Sequence, residues 1–183
     1  PLLLVLGGSQ GAAMLNDFVL ENLEKLAKKY QILHQTGIDN FTEVSAFATE
    51  LTKSWTAEQK KWYHPIPFLQ ADMKQALLAA DIVISRAGAG AIFEIANAQL
   101  PAILVPITDS ANNHQRENAF QYEEAGACIV IEEENLFGDI VINAIDAILE
   151  NQERKSAMAK AAATFANPEA ANVIAKEILK TIS

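Results

Sequence analysis

The sequence predicts an α/β domain whose parallel sheet is covered by helices on both faces. Three observations lead there. Short apolar runs and helical patterns alternate along nearly the whole chain. The runs are continuous and rich in β-branched residues, as strands buried on both faces are. The 183 residues, 50% of them apolar, supply one core of ordinary size and are too few for two large domains. The whole of 1–183 is therefore read as a single domain.

The elements follow in order. Leu2–Leu6 reads as a strand that runs into Gly7-Gly8-Ser9-Gln10-Gly11. A helical pattern comes next, with Leu15, Phe18, Val19, Leu23 and Leu26 on one face. Gln31–Gln35 is a second short strand ended by Gly37, and Phe41–Leu51 is helical. Residues 54–63 are polar with two Trp and predict a surface turn. Residues 66–69 form an edge strand interrupted by Pro65 and Pro67. A helix over 73–80, a strand over Ile82–Ser85 and a helix opened by Gly88-Ala89-Gly90 follow. Residues 102–105 are a strand that Pro106 ends. After a loop over 107–113, a helix over 115–125 stops at Gly126. Residues 128–131 are the last strand, and helices broken near Asn151 and at Asn167-Pro168 fill the rest. Met and Phe at helical spacing are expected in the core.

Charge and cysteine usage exclude several function classes. The net charge is −9, which opposes general binding to nucleic-acid phosphates and a polybasic membrane anchor. From Gln121 onward there are 11 acidic and 5 basic residues, a solvated helical face. Cys128 stands alone, so no internal disulfide or cysteine zinc cluster forms, and a reducing cytoplasmic setting fits. No apolar run approaches the roughly 20 residues that cross a bilayer. His34, His64 and His114 are isolated, and no Asp-x-Asp pair is present, so no metal site is expected.

Ligands of such sheets bind beyond the carboxyl ends of the strands, which directs attention to three strand-to-helix junctions. The first holds Gly7, Gly8 and Gly11. Its glycines admit a close ligand, and the following helix offers free N–H groups and a positive dipole end for a phosphate, with the Ser9 hydroxyl beside them. A plain tight turn is the competing reading, though it needs one glycine rather than three. The spacing is neither G-x-G-x-x-G nor a P-loop. The second junction, 85–91, leads to Glu94. A carboxylate one turn inside the helix suits two ribose hydroxyls, and it equally suits the helix dipole. The third, between Pro106 and Asn118, carries Asp109, Asn112, Asn113, His114 and Gln115, whose many amides suit a sugar or simply a polar loop. Phe68 either covers a flat base at this rim or belongs to the core.

Seven motifs stand in a telling order. They are GGSQGA at 7–12, HQTG at 34–37, Pro67-Phe68, AADIVISRAGAG at 79–90, Glu94, LPAILVP at 100–106 and NNHQRENA at 112–119. Over essentially its whole length the chain resembles the C-terminal domain of the MurG family. These are the bacterial N-acetylglucosaminyltransferases that complete lipid II in peptidoglycan synthesis.

The resemblance implies a Rossmann-like three-layer α/β/α sheet, the donor half of a GT-B enzyme. UDP-GlcNAc would lie across its carboxyl edge. Phe68 would cover the uracil, the Leu69 backbone would pair with its edge, and Glu94 would hold the ribose. Ser9 and the backbone of Ala89, Gly90 and Ala91 would face the diphosphate, beside the glycines of the first loop. His114 and Gln115 would hold the GlcNAc hydroxyls. Ala91 replaces the family's usual Thr, which leaves backbone N–H groups for that contact. No cofactor or metal is implied.

The implied reaction is inverting, with the C4 hydroxyl of MurNAc in lipid I attacking the anomeric carbon as UDP leaves. The acceptor loops, the base and the membrane-binding patch belong to an N-terminal domain. That domain places the full protein in the cytoplasm, peripheral on the inner membrane. The chain opens directly in a core strand, so a fragment is expected, inactive alone. The alternative is a natural donor-binding subunit that works with a membrane partner. A dinucleotide-dependent oxidoreductase is disfavoured by the missing G-x-G-x-x-G.

Overall fold

The computed structural model describes residues 1–8, 10–108, 113–166 and 170–181. Six strands form one sheet: β1 (Leu2–Leu6), β2 (Gln31–Gln35), β3 (Tyr63–Ile66), β4 (Ile82–Ser85), β5 (Ala102–Leu104) and β6 (Cys128–Val130). Their order is β3-β2-β1-β4-β5-β6, and every neighbouring pair is parallel. All carboxyl ends therefore share one edge. The order reverses beside β1, which opens a crevice between the segments leaving β1 and β4.

Side chains of β1 alternate between two apolar layers. Leu3 and Val5 pack with α1 (Ala13–Glu21), α2 (Leu23–Ala27) and α8 (Gly138–Leu149). Leu4 and Leu6 pack with α5 (Met73–Ala79), α6 (Ala89–Asn97) and α7 (His114–Glu124). Among the described residues the other α-helices are α3 (Phe41–Leu51), α4 (Ala57–Lys60), α9 (Gln152–Phe165) and α10 (Ala170–Thr181). The expected three-layer α/β/α architecture is present, with the core on both faces of the sheet.

Some elements differ from the sequence reading. The first helical stretch is broken at Asn22, although its five predicted apolar residues are all buried. Asn22 Nδ2 donates to the Phe18 carbonyl at 2.9 Å, and its Oδ1 fills the space a Cβ on Gly138 would need. The edge strand is Tyr63–Ile66 rather than 66–69. Ile32 donates to Trp62 and Thr36 to Ile66, while Pro65 opposite His34 needs no donor on an edge strand. Pro67 lacks an N–H, so Phe68 and Leu69 fall in the following loop. Within 54–63, α4 forms on a capping box between Thr56 and Gln59. Several apolar helix positions expected in the core are half-exposed, among them Phe47, Phe93 and Phe120. The break at Asn151 is present, where Asn151 Oδ1 caps α9 by accepting from Arg154 N–H. The Asn167-Pro168 break lies outside the described residues.

Candidate functional site

A cleft of about 780 Å³ occupies the carboxyl edge of the sheet at the β1–β4 crossover. Its floor is Leu6, Gln35 and Ser85, the last residues of three adjacent strands. One wall is the glycine turn with Gly7, Gly8 and Gly11, followed by the start of α1. The opposite wall is Gly88, Gly90, Ala91 and Glu94 at the start of α6. Phe68, Leu69 and Met73 close one end, and Ile107 and Gln115 also face the space.

Both helices enter with their amino ends toward the cleft. Their N-cap residues are Ala12 and Gly88, neither of which provides a side-chain cap, and neither helix has an acid in its first turn. The leading N–H groups of two helices and both positive dipole ends thus point at one volume. That is an anion site in electrostatic terms.

The two glycine turns are built differently. Gly8 and Gly11 are left-handed, at φ +77° and +82°. A Cβ on Gly11 would overlap the Thr36 carbonyl, and one on Gly7 would stand 3.0 Å from the Gln35 carbonyl. At Gly88 and Gly90 a Cβ would meet nothing within 4 Å.

Most residues expected from the sequence converge here: Gly7, Gly8, Gly11, Phe68, Leu69, Gly90, Ala91, Glu94 and Gln115. Ala89 and His114 are exposed and do not line the cleft. Ser9, Asp109 and Asn112 lie outside the described residues. Glu94 is exposed and shares a second hollow with Gln70 and Met73, which places it beside the Phe68 loop. Gln115 Oε1 accepts from the Ile107 N–H at 3.3 Å, so its amide nitrogen is the group left to donate. Leu69 N–H donates to Gln35 Oε1 at 2.8 Å, so its carbonyl is the backbone group left for a ligand.

Two site residues escaped the sequence reading. Gln35, 1% exposed, holds Leu69 in place, and its Nε2 is buried without a partner. Arg86 is the one cation among the described lining residues. It pairs with Glu133 at 2.7 Å and donates to the Val105 carbonyl at 3.2 Å. Burial works to raise the Glu133 pKa, but bonds from Thr108 and the Arg86 guanidinium outweigh it and hold the carboxyl below its usual range. Arg86 stood in the quoted second junction, but nothing local marks Glu133, 47 positions on in the chain, as its anchor.

Residues 2–174 match the glycosyltransferase family 28 C-terminal domain. The chain belongs to that family. Among curated relatives is the UDP-N-acetylglucosamine–N-acetylmuramyl-(pentapeptide) pyrophosphoryl-undecaprenol N-acetylglucosamine transferase of Desulforamulus reducens. It is 36% identical over 182 residues, covering 98% of this chain and 48% of that protein. The protein of the same name from Anaeromyxobacter sp. (strain Fw109-5) is 39% identical over 178 residues, 96% of this chain and 44% of that protein. Among solved structures, Acinetobacter baumannii MurG superposes with a TM-score of 0.78 at 29% identity, covering 97% of this chain and 49% of that one. The chain spans about half the length of the curated relatives it matches. As a glycosyltransferase family 28 C-terminal domain it has no described helix long and apolar enough to cross a membrane.

Proposed function

We propose that this domain binds UDP-GlcNAc as the donor half of an inverting N-acetylglucosaminyltransferase that acts on lipid I. The observation that carries the reading is the pair of uncapped helix amino ends facing one cleft. Uracil lies against Phe68, with the Leu69 carbonyl accepting from the base N–H. Glu94, next to that loop, accepts from the two ribose hydroxyls. The diphosphate rests between the Gly7-Gly8 turn and the α6 backbone at Ala89, Gly90 and Ala91, with Arg86 in the wall. Gln115 donates to a GlcNAc hydroxyl, and His114 adjoins the same sugar from outside the described lining.

In the reaction, the C4 hydroxyl of the acceptor attacks the anomeric carbon. The new C–O bond forms as the bond to the UDP oxygen breaks, and the hydroxyl proton passes to a base outside this domain. Negative charge grows on the leaving diphosphate. The helix amino ends and Arg86 are fixed before reaction and stabilise that charge without reorganising. The acceptor, the base and the membrane face of the complete enzyme belong to the other half, so this domain alone binds donor and transfers nothing.

Calorimetric titration with UDP-GlcNAc, UDP-GalNAc and NADH tests the proposal. Binding of both UDP-sugars, tighter for GlcNAc, is expected, with no heat from NADH. Turnover of a lipid I analogue by the domain alone, or binding of NADH in place of UDP-GlcNAc, contradicts it.

A further inference from the structure

A buried polar chain lies behind the glycine turn and contributes nothing to the cleft lining. His34, on the inner strand β2, is fully buried. Its Nδ1 is 3.0 Å from the Tyr63 hydroxyl, and its Nε2 is 3.0 Å from Asn16 Oδ1. Asn16 Nδ2 donates to the Thr36 carbonyl at 3.0 Å. Because that amide nitrogen is turned to Thr36, Asn16 presents its oxygen, an acceptor, to the ring. Nε2 therefore carries the hydrogen, and Nδ1 accepts from Tyr63. Burial depresses the ring's pKa to about 3, so it stays neutral and in one tautomer at ordinary pH.

The Thr36 carbonyl, where the chain of bonds ends, is the backbone against which Gly11 rests. A Cβ on Gly11 would overlap that oxygen, and a Cβ on Gly37 would overlap Gly11 itself. Thr36 N–H donates to the Ile66 carbonyl at 3.0 Å, and its Oγ1 stands 3.2 Å from the Gly37 carbonyl and 3.3 Å from that of Ile66, which fixes Thr36 from the other side. The base end of the cleft has a separate anchor, the Gln35 to Leu69 bond.

We propose that His34 is a positioning residue: through Asn16 and Thr36 it sets the Gly8–Gly11 turn, and with it the phosphate side of the cleft, leaving the base side to Gln35. This rests on the donor-cleft reading above. A layer serving stability alone is served as well by apolar side chains of the same volume, whereas a fully satisfied polar chain fixes orientation.

The test is a pair of NMR titrations, uridine and UDP, on the parent domain and on Asn16→Leu, His34→Leu and Tyr63→Phe. Loss of either inner member should weaken UDP by about tenfold and leave uridine within about twofold. Tyr63→Phe keeps the ring and its packing, and should weaken UDP by about threefold. Amide exchange at Gly11 and Ala12 should quicken in the same order. Parallel losses for uridine and UDP, or unchanged UDP affinity in folded variants, overturn the proposal. If the Leu variants do not fold, Tyr63→Phe decides: parental UDP affinity with unchanged Gly11 exchange overturns it. If the parent binds neither ligand, the donor-cleft reading fails, and exchange at Gly11 alone decides whether the network holds the turn.

Discussion

The two glycine-rich turns that face each other across the cleft owe their glycines to different causes. At 7–11 the fold itself demands them. Gly8 and Gly11 are left-handed, and Gly7 and Gly11 are packed against backbone from the end of β2. At 88–90 the fold demands nothing: neither glycine is left-handed, and an added Cβ would meet nothing within 4 Å. The first turn is a packed joint. The second is a bare approach, where the reason for small residues must come from what enters the cleft.

Substitutions should therefore act on stability at one turn and on binding at the other. The largest effect is expected at Gly11. Gly11→Ala forces a methyl into the Thr36 carbonyl at a positive φ, and should cost about 3 kcal/mol in chemical denaturation. Parental stability would mean that the joint is not packed. Next comes Glu94, exposed on the helix behind the open turn. Removing a carboxylate that accepts from two ribose hydroxyls should weaken UDP by roughly ten- to a hundredfold with little change in melting temperature. Equal UDP affinity for Glu94→Ala and the parent would remove the ribose assignment.

A smaller, pH-graded effect marks the packed side. The His34 ring is protonated near pH 6.5 when unfolded and only at about 3 when folded. Between those values the unfolded chain binds the extra proton. His34's neutral burial thus costs nothing above 6.5, and stability declines by about 1.4 kcal/mol per pH unit below it. Denaturation at pH 6 and pH 5 should show this slope in the parent and not in His34→Leu. Identical slopes would place the proton elsewhere.

Much of this was legible in the sequence, and the misses share a cause. The alternation of strands and helices, the three junctions and the position of Glu94 at the cleft follow from local signals: apolar runs, glycines and a carboxylate one turn into a helix. The register of β3 did not, because two prolines look alike until the donors of Ile32 and Thr36 choose between them. The break at Asn22 has no local signal, and the residue whose bareness makes room for its side chain, Gly138, lies far along the chain. Gln35 and Arg86 act through partners 34 and 47 positions away, Leu69 and Glu133, and no local pattern announces either bond. The exposed Phe93 and Phe120 show helical period without burial, since periodicity alone does not say which face is covered.

The contrast between the turns is tested most directly by Gly90→Val, measured by thermal denaturation and by UDP calorimetry on the same sample. Because nothing lies within 4 Å of the added Cβ, the variant should melt with a stability within about 1 kcal/mol of the parent. Its UDP affinity should fall at least about tenfold, as the side chain takes the space of the diphosphate. A folded Gly90→Val that binds UDP as tightly as the parent would contradict the account, since the open turn would then have no ligand to make room for.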